Sequence, residues 1–219
     1  MAERLMFSPS LAFCLILGFL LFKYLYKGNN ERLYWAALGI IMAAYSYKTY
    51  DRNKVWESNE TLHISGLDTA PNSARALTFY GKRLYDKAAA TTDNNTKRQL
   101  GEEALTYYDR ATGLVPSFRD AYHNKALCHL DLLNNPDAAI QQFDSALALD
   151  SDYYLSICGK GLAYHKKGDN DNALLFLREA YDIAPTNNTV KQNLIVILLK
   201  VRDLYRANGD IETAISYDK

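Results

Sequence analysis

The feature that most constrains this chain is a helical pattern that repeats every 34 residues over its distal part. The clearest copy, residues 154–185, reads "YLSICGKGLAYHKKGDNDNALLFLREAYDIAP". Small residues fall where two helices must touch: Gly161, Ala173 and Ala180. Large ones fill the gaps between them: Ile157, Tyr164 and Leu177. Gly168-Asp169 turns the chain and Pro185 stops the second helix. Two antiparallel helices of this kind bury one face on each other and the remainder on the next copy.

This is the pattern of the tetratricopeptide repeat, and it is predicted over residues 71–219 as about three complete copies and an incomplete last one. Residues 120–151 form the copy before, with Tyr122, Ala126, Ala139, Phe143 and Ala146 in equivalent places and a turn, "NNPD", one residue longer. An earlier copy follows Pro71, with Leu77 and Gly81 on its first helix and Ala104, Tyr108 and Ala111 on its second. It holds eleven extra residues, read as two lengthened helices joined by the turn "AAATTDNNTK". The final copy begins near Asn188 and reaches Gly209-Asp210 seven residues late, two turns that keep the packing face. Ending at Lys219 inside a second helix, it reads as unfinished.

Upstream stand two apolar runs, Leu11–Tyr26, broken only by Lys23, and Leu33–Tyr47, without charge. They predict a transmembrane helical hairpin in residues 1–50, with helices at about 9–26 and 33–50 and the lipid bilayer as partner. Tyr24, Tyr26, Tyr34 and Trp35 near the connector, and Tyr45, Tyr47 and Tyr50 at the exit, have the placing of interfacial belts. Lys23, Lys27 and Arg32 in the connector favour a cytoplasmic connector and repeats outside the cytoplasm, although Lys48, Arg52 and Lys54 pull the other way. No small-residue cleavage site follows Phe22, which excludes a secretion signal. Residues 51–70 are read as a linking helix or half repeat. The fold class is thus all-α: a membrane hairpin followed by an α-solenoid.

Charge narrows the partners. Residues 1–56 carry seven Lys/Arg against three Asp/Glu, and residues 57–219 carry eighteen against twenty-two. An acidic repeat region is a poor match for phosphate backbones, so nucleic acid is not an expected partner. Cys14, Cys128 and Cys158 lack metal spacing, and His63, His123, His129 and His165 are scattered. No catalytic group, cofactor or metal site is expected; Gly159-Lys160-Gly161 has no phosphate-binding framework around it, and Glu102-Glu103 reads as a solvated face. Asn59, Asn94 and Asn187 head Asn-x-Ser/Thr sequons, which matter only in a eukaryotic lumen.

Binding remains. Repeat arrays of this kind present the concave face of their first helices to an extended peptide. The candidate groove residues are Tyr122, His123, Asn124, Leu127, Tyr154, Cys158, Leu162, His165 and Asn193. A carboxylate clamp needs Lys and Asn where His123, Leu127, Cys158 and Leu162 stand, which disfavours chaperone C-termini. Asn124 and Asn193 occupy a site from which an amide reaches a peptide backbone, but Phe79 and Gly159 interrupt that ladder; the amides equally suit capping of neighbouring carbonyls.

The junction carries a resemblance. "AERLMFSPSLAFC", with Glu3 and Arg4, resembles a segment before a late membrane span in the transmembrane and tetratricopeptide-repeat protein O-mannosyltransferases and their bacterial relatives. "RNKVWESNETLHISGLDTAPNSARALTFYG" resembles that family's passage into its repeats, through Arg52, Asn53, Trp56, Leu62, Pro71, Asn72, Ala74, Arg75 and Gly81. Phe7 departs from the family's Tyr. The resemblance implies a polytopic enzyme that moves a sugar, in this family mannose, from a polyprenyl-phosphate carrier to Ser/Thr outside the cytoplasm. Its acidic catalytic loop has no counterpart in residues 1–56, so this chain is expected to be the C-terminal anchor and protein-binding part, working with an upstream transmembrane portion. Glu3 and Arg4 are given a place at the membrane surface and no catalytic role. The competing expectation is a complete membrane-anchored scaffold for a protein assembly.

Overall fold

A computed structural model of the chain describes residues 16–20, 22–26, 30–56 and 58–209. The chain divides into two units, Met1–Thr61 and Leu62–Lys219.

In the first unit, a helical turn and a π-helical turn, Phe22–Tyr26, precede helix α1, Glu31–Lys54. Aromatic rings run in a chain across the connector: Phe22 stacks on Tyr26 at 5.2 Å, and Tyr26 meets Tyr34 edge-on at 5.5 Å. With 24 residues α1 reaches about 36 Å, enough to span a bilayer core. Its apolarity does not suffice, because Tyr34, Tyr45, Tyr47, Lys48 and Tyr50 dilute the central Ala-Ile-Met segment. No helix among the described residues is long and apolar enough to cross a membrane. The predicted hairpin is not supported: its 33–50 half is one helix without the hydropathy of a span, and residues 9–15 and 21 of its 9–26 half, with Glu3 and Arg4, lie outside the described residues. No side chain of α1 is buried within the unit, and Trp35, Ile40 and Met42 stand 60% or more exposed.

The chain bends after α1 and restarts in α2, Asn59–Thr69, where Ser58 and Thr61 cap one another: Thr61 N donates to Ser58 Oγ at 3.1 Å and Ser58 N to Thr61 Oγ1 at 3.2 Å.

The second unit is an all-helical tetratricopeptide-repeat solenoid. Three helix pairs follow one another: α3 (Ala74–Ala90) with α4 (Asn94–Leu114), α5 (Arg119–Leu127) with α6 (Pro136–Leu149), and α7 (Tyr154–Lys167) with α8 (Asn170–Ile183). Helix α9, Asn188–Ala207, follows. Ser73, Asp93, Asn135, Asp169 and Asn187 cap α3, α4, α6, α8 and α9 through side-chain oxygens, satisfying backbone N–H groups that have no intrahelical partner.

The small-and-large alternation read from the sequence is the packing itself. Ala104, Ala111, Ala139, Ala146, Ala173 and Ala180 are fully buried, and Tyr108, Phe143 and Leu177 fill one position in successive pairs. Gly161 lets α8 approach: a Cβ there would stand 2.9 Å from Leu177 Cγ and 3.0 Å from the Ala173 carbonyl oxygen. The first pair is lengthened as expected, but its turn is only Thr91-Thr92-Asp93, and the flanking residues are helical. At the second pair α5 runs on into a π-helical end, Cys128–Leu132. Asn134 there takes φ 52°, the left-handed role that Gly168 fills at 86° in the next copy.

Candidate peptide-binding face

Three first helices of the copies, α5, α7 and α9, carry the candidate groove residues, and the structure divides those residues by what they touch. His123 is held between helices. Its Nδ1 lies 3.0 Å from Ser156 Oγ on α7, and its ring packs on Tyr153 at 5.2 Å and Phe143 at 5.7 Å. Burial pushes its pKa down to about 4, so the ring is neutral at pH 7. Cys158 is buried, and its sulfur accepts from Asn193 Nδ2 at 3.4 Å; burial holds the thiol protonated. Tyr154 is half-buried against the third and fourth copies, and its hydroxyl accepts from Asn187 Nδ2 at 3.4 Å. These three contacts form a column of polar links from α5 to α7 to α9.

Leu127 and Leu162 pack on the cluster of Ala126, Leu130, Ala139, Phe143 and Ala163, and Leu162 also reaches the next cluster. Two residues engage only their neighbourhood. Asn124 Nδ2 donates to its own helix at the Asp120 carbonyl, 2.8 Å away, so this amide caps locally. His165 Nδ1 lies 3.0 Å from Asn170 Oδ1 and closes the α7–α8 corner. Tyr122 is half-buried on α5.

Sequence reasoning missed Ser156, fully buried, and Asn187 as partners in the column. It also missed a recurring charge pair. Lys125 Nζ meets Asp109 Oδ1 at 2.7 Å, and Lys160 Nζ meets Asp144 Oδ1 at 2.6 Å, each joining a first helix to the second helix of the copy before. The repeat period held that signal, since both lysines and both aspartates are 35 residues apart. At the start of α5, Arg119 bridges Asp120 and Asp150 and lies 3.9 Å above the Tyr153 ring.

Chemically this face is built from neutral and ion-paired groups. Cys128 donates to the Gly101 carbonyl at 3.1 Å and is pushed up to about 12 by burial and by Asp131, so neither buried thiol is a nucleophile. Among the described residues no group of three or more His, Cys, Asp or Glu is placed to hold a metal.

The helix pairs and their small-residue contacts define a tetratricopeptide-repeat solenoid; residues 97–154 and 156–187 match the Tetratricopeptide repeat families. More particularly, the chain carries a repeat region like that of the TMTC protein O-mannosyl-transferases. It is 30% identical over 137 residues to Protein O-mannosyl-transferase TMTC3 of Homo sapiens, covering 63% of this chain and 14% of that protein. Over 193 residues it is 24% identical to Protein O-mannosyl-transferase Tmtc3 of Drosophila melanogaster, covering 87% and 19%. The chain thus spans less than one fifth of these relatives' length. In fold it is similar to TTC0263, a thermophilic TPR protein of Thermus thermophilus, with a TM-score of 0.59 at 19% identity over 68% of this chain and 76% of that one. MamA gives 0.55 at 19% identity, over 76% and 88%.

Proposed function

We propose that this chain is the protein-docking part of a larger protein O-glycosyltransferase. Its repeats hold an acceptor or partner polypeptide while a catalytic part outside this sequence transfers a sugar, mannose by analogy with the relatives, from a polyprenyl-phosphate donor to Ser/Thr. The observation that carries this reading is the state of the reactive side chains: His123 neutral between helices, both described cysteines buried as thiols, and the conspicuous lysines tied to Asp109 and Asp144. A surface with its acid–base groups withdrawn into packing binds and does not catalyse. The likeness to the TMTC transferases supports the particular enzyme.

Helix α1 exposes large apolar side chains on all sides, which suits the apolar surroundings of the membrane part of such an enzyme. The cationic connector supports repeats on the extracytoplasmic side.

The test is to purify the chain with its native partners and supply a mannosyl polyprenyl phosphate and a Ser/Thr peptide. Sugar transfer, or co-isolation of a polytopic transferase, is the expected result. Recovery of a soluble assembly partner alone, with no transfer, would establish the scaffold reading in its place.

A further inference from the structure

One feature sets the first helix pair apart from an ordinary repeat: α4 has 21 residues where α6 and α8 have 14. Its additional N-terminal turns are fastened to the π-helical end of α5, where the Cys128 thiol donates to the Gly101 carbonyl and Gly101 leaves room for Leu132. Between these turns, the α5–α6 corner and the end of α7 lies an open pocket of about 540 Å³, to which three successive copies contribute.

Both carboxylates that line it, and the Leu130 carbonyl beside it, each hold one donor. Glu102 takes the Arg98 guanidinium at 2.9 Å, Asp131 takes the Tyr85 hydroxyl at 2.6 Å, and the Leu130 carbonyl takes Lys166 Nζ at 2.5 Å. The donors keep spare capacity. Lys97 is half-buried and carries no ion pair among the described residues. Asn135 uses its Oδ1 to cap α6 at Ala138 N, which leaves its amide N–H groups unassigned. Lys166 retains two further ammonium protons. A pocket with donors in surplus and a half-buried cation recognises an anionic oxygen ligand.

We propose that this pocket binds a carboxylate of an acidic segment of a partner protein, as a docking point separate from the column of His123, Cys158 and Asn193. A singly charged carboxylate suits it better than a doubly charged phosphate, because Glu102 and Asp131 in the same lining repel negative charge.

The test is fluorescence anisotropy of the intact chain with a labelled oligoglutamate peptide at low ionic strength, with acetate and inorganic phosphate as competitors. Lys97→Ala is expected to weaken binding about tenfold and Lys97→Glu to abolish it, with the thermal midpoint unmoved because Lys97 has no partner to lose. Lys191→Ala, an exposed lysine on α9, is the control and leaves binding intact. Acetate competes at high concentration if the pocket reads the carboxylate alone; a peptide that resists acetate shows that several acidic residues dock together. Binding unchanged in Lys97→Ala, preferential displacement by phosphate, or no binding by the wild-type chain would each overturn the proposal, whatever becomes of the transferase reading.

Discussion

Lys160 and Asp144 are joined at 2.6 Å across the boundary between two repeats, with the lysine 14% exposed and also 4.2 Å above the Phe176 ring. Lys125 and Asp109 make the same bridge one copy earlier. One further copy on, Arg178 and Leu194 hold the equivalent places, so the pair is not continued. Because the aspartate is half-exposed, solvent and salt weaken the attraction. The coupling between Lys160→Ala and Asp144→Ala in a urea-unfolding double-mutant cycle is expected to be about 1 kcal/mol and to shrink in high salt. A coupling of zero at low salt would show that the bridge is incidental.

Gly161 tests how closely α7 and α8 must approach. A Cβ would press on Leu177 and on the backbone oxygen of Ala173, and only the side chain has freedom to give. Gly161→Ala is expected to cost about 1–3 kcal/mol, against the small gain that alanine gives in an open helix. Thermal unfolding followed by circular dichroism reads the difference.

Tyr108 stands where Phe143 and Leu177 stand in later copies, fully buried, with a hydroxyl that has no hydrogen-bond partner. Removing that oxygen relieves an unsatisfied polar group. Tyr108→Phe is expected to be neutral or to stabilise by up to about 1 kcal/mol, whereas Tyr108→Ala costs about 3–5 kcal/mol through the cavity it leaves against Gly81. Urea midpoints of the two variants check both signs.

These contacts separate what the sequence discloses from what it withholds. Spacings along one helix, such as Ala139, Phe143 and Ala146, are local, and the period transmits them directly to packing. Links such as His123 to Ser156 or Cys158 to Asn193 depend on the rotation of one helix against the next, which no run of residues encodes by itself. For that reason several candidate groove side chains prove to be internal ties. The apolar run at residues 33–47 is ambiguous for another cause: its tyrosines look like interfacial belts, yet they lower the helix below the hydropathy of a span.

His123 gives the fold a dependence on pH. Its pKa, about 4 in the folded protein, lies below its ordinary 6.5, so the folded state disfavours the proton. The stabilisation is complete above about pH 6.5 and is lost as pH falls toward 4, by at most about 3 kcal/mol. His129, also lowered by burial, adds in the same direction. Replacing His123 by Gln, which keeps a hydrogen-bonding group without titration, is expected to flatten most of this slope in urea midpoints measured across that range.

The central claim is that the first-helix face docks a polypeptide for glycosylation. A photo-crosslinking amino acid in place of Asn124, whose side chain bonds only its own helix, tests it in the intact protein in its native cells. Adducts with a polypeptide that carries O-linked sugar are the expected result. Adducts absent at position 124 but formed from position 178, on the exposed side of α8, would contradict it.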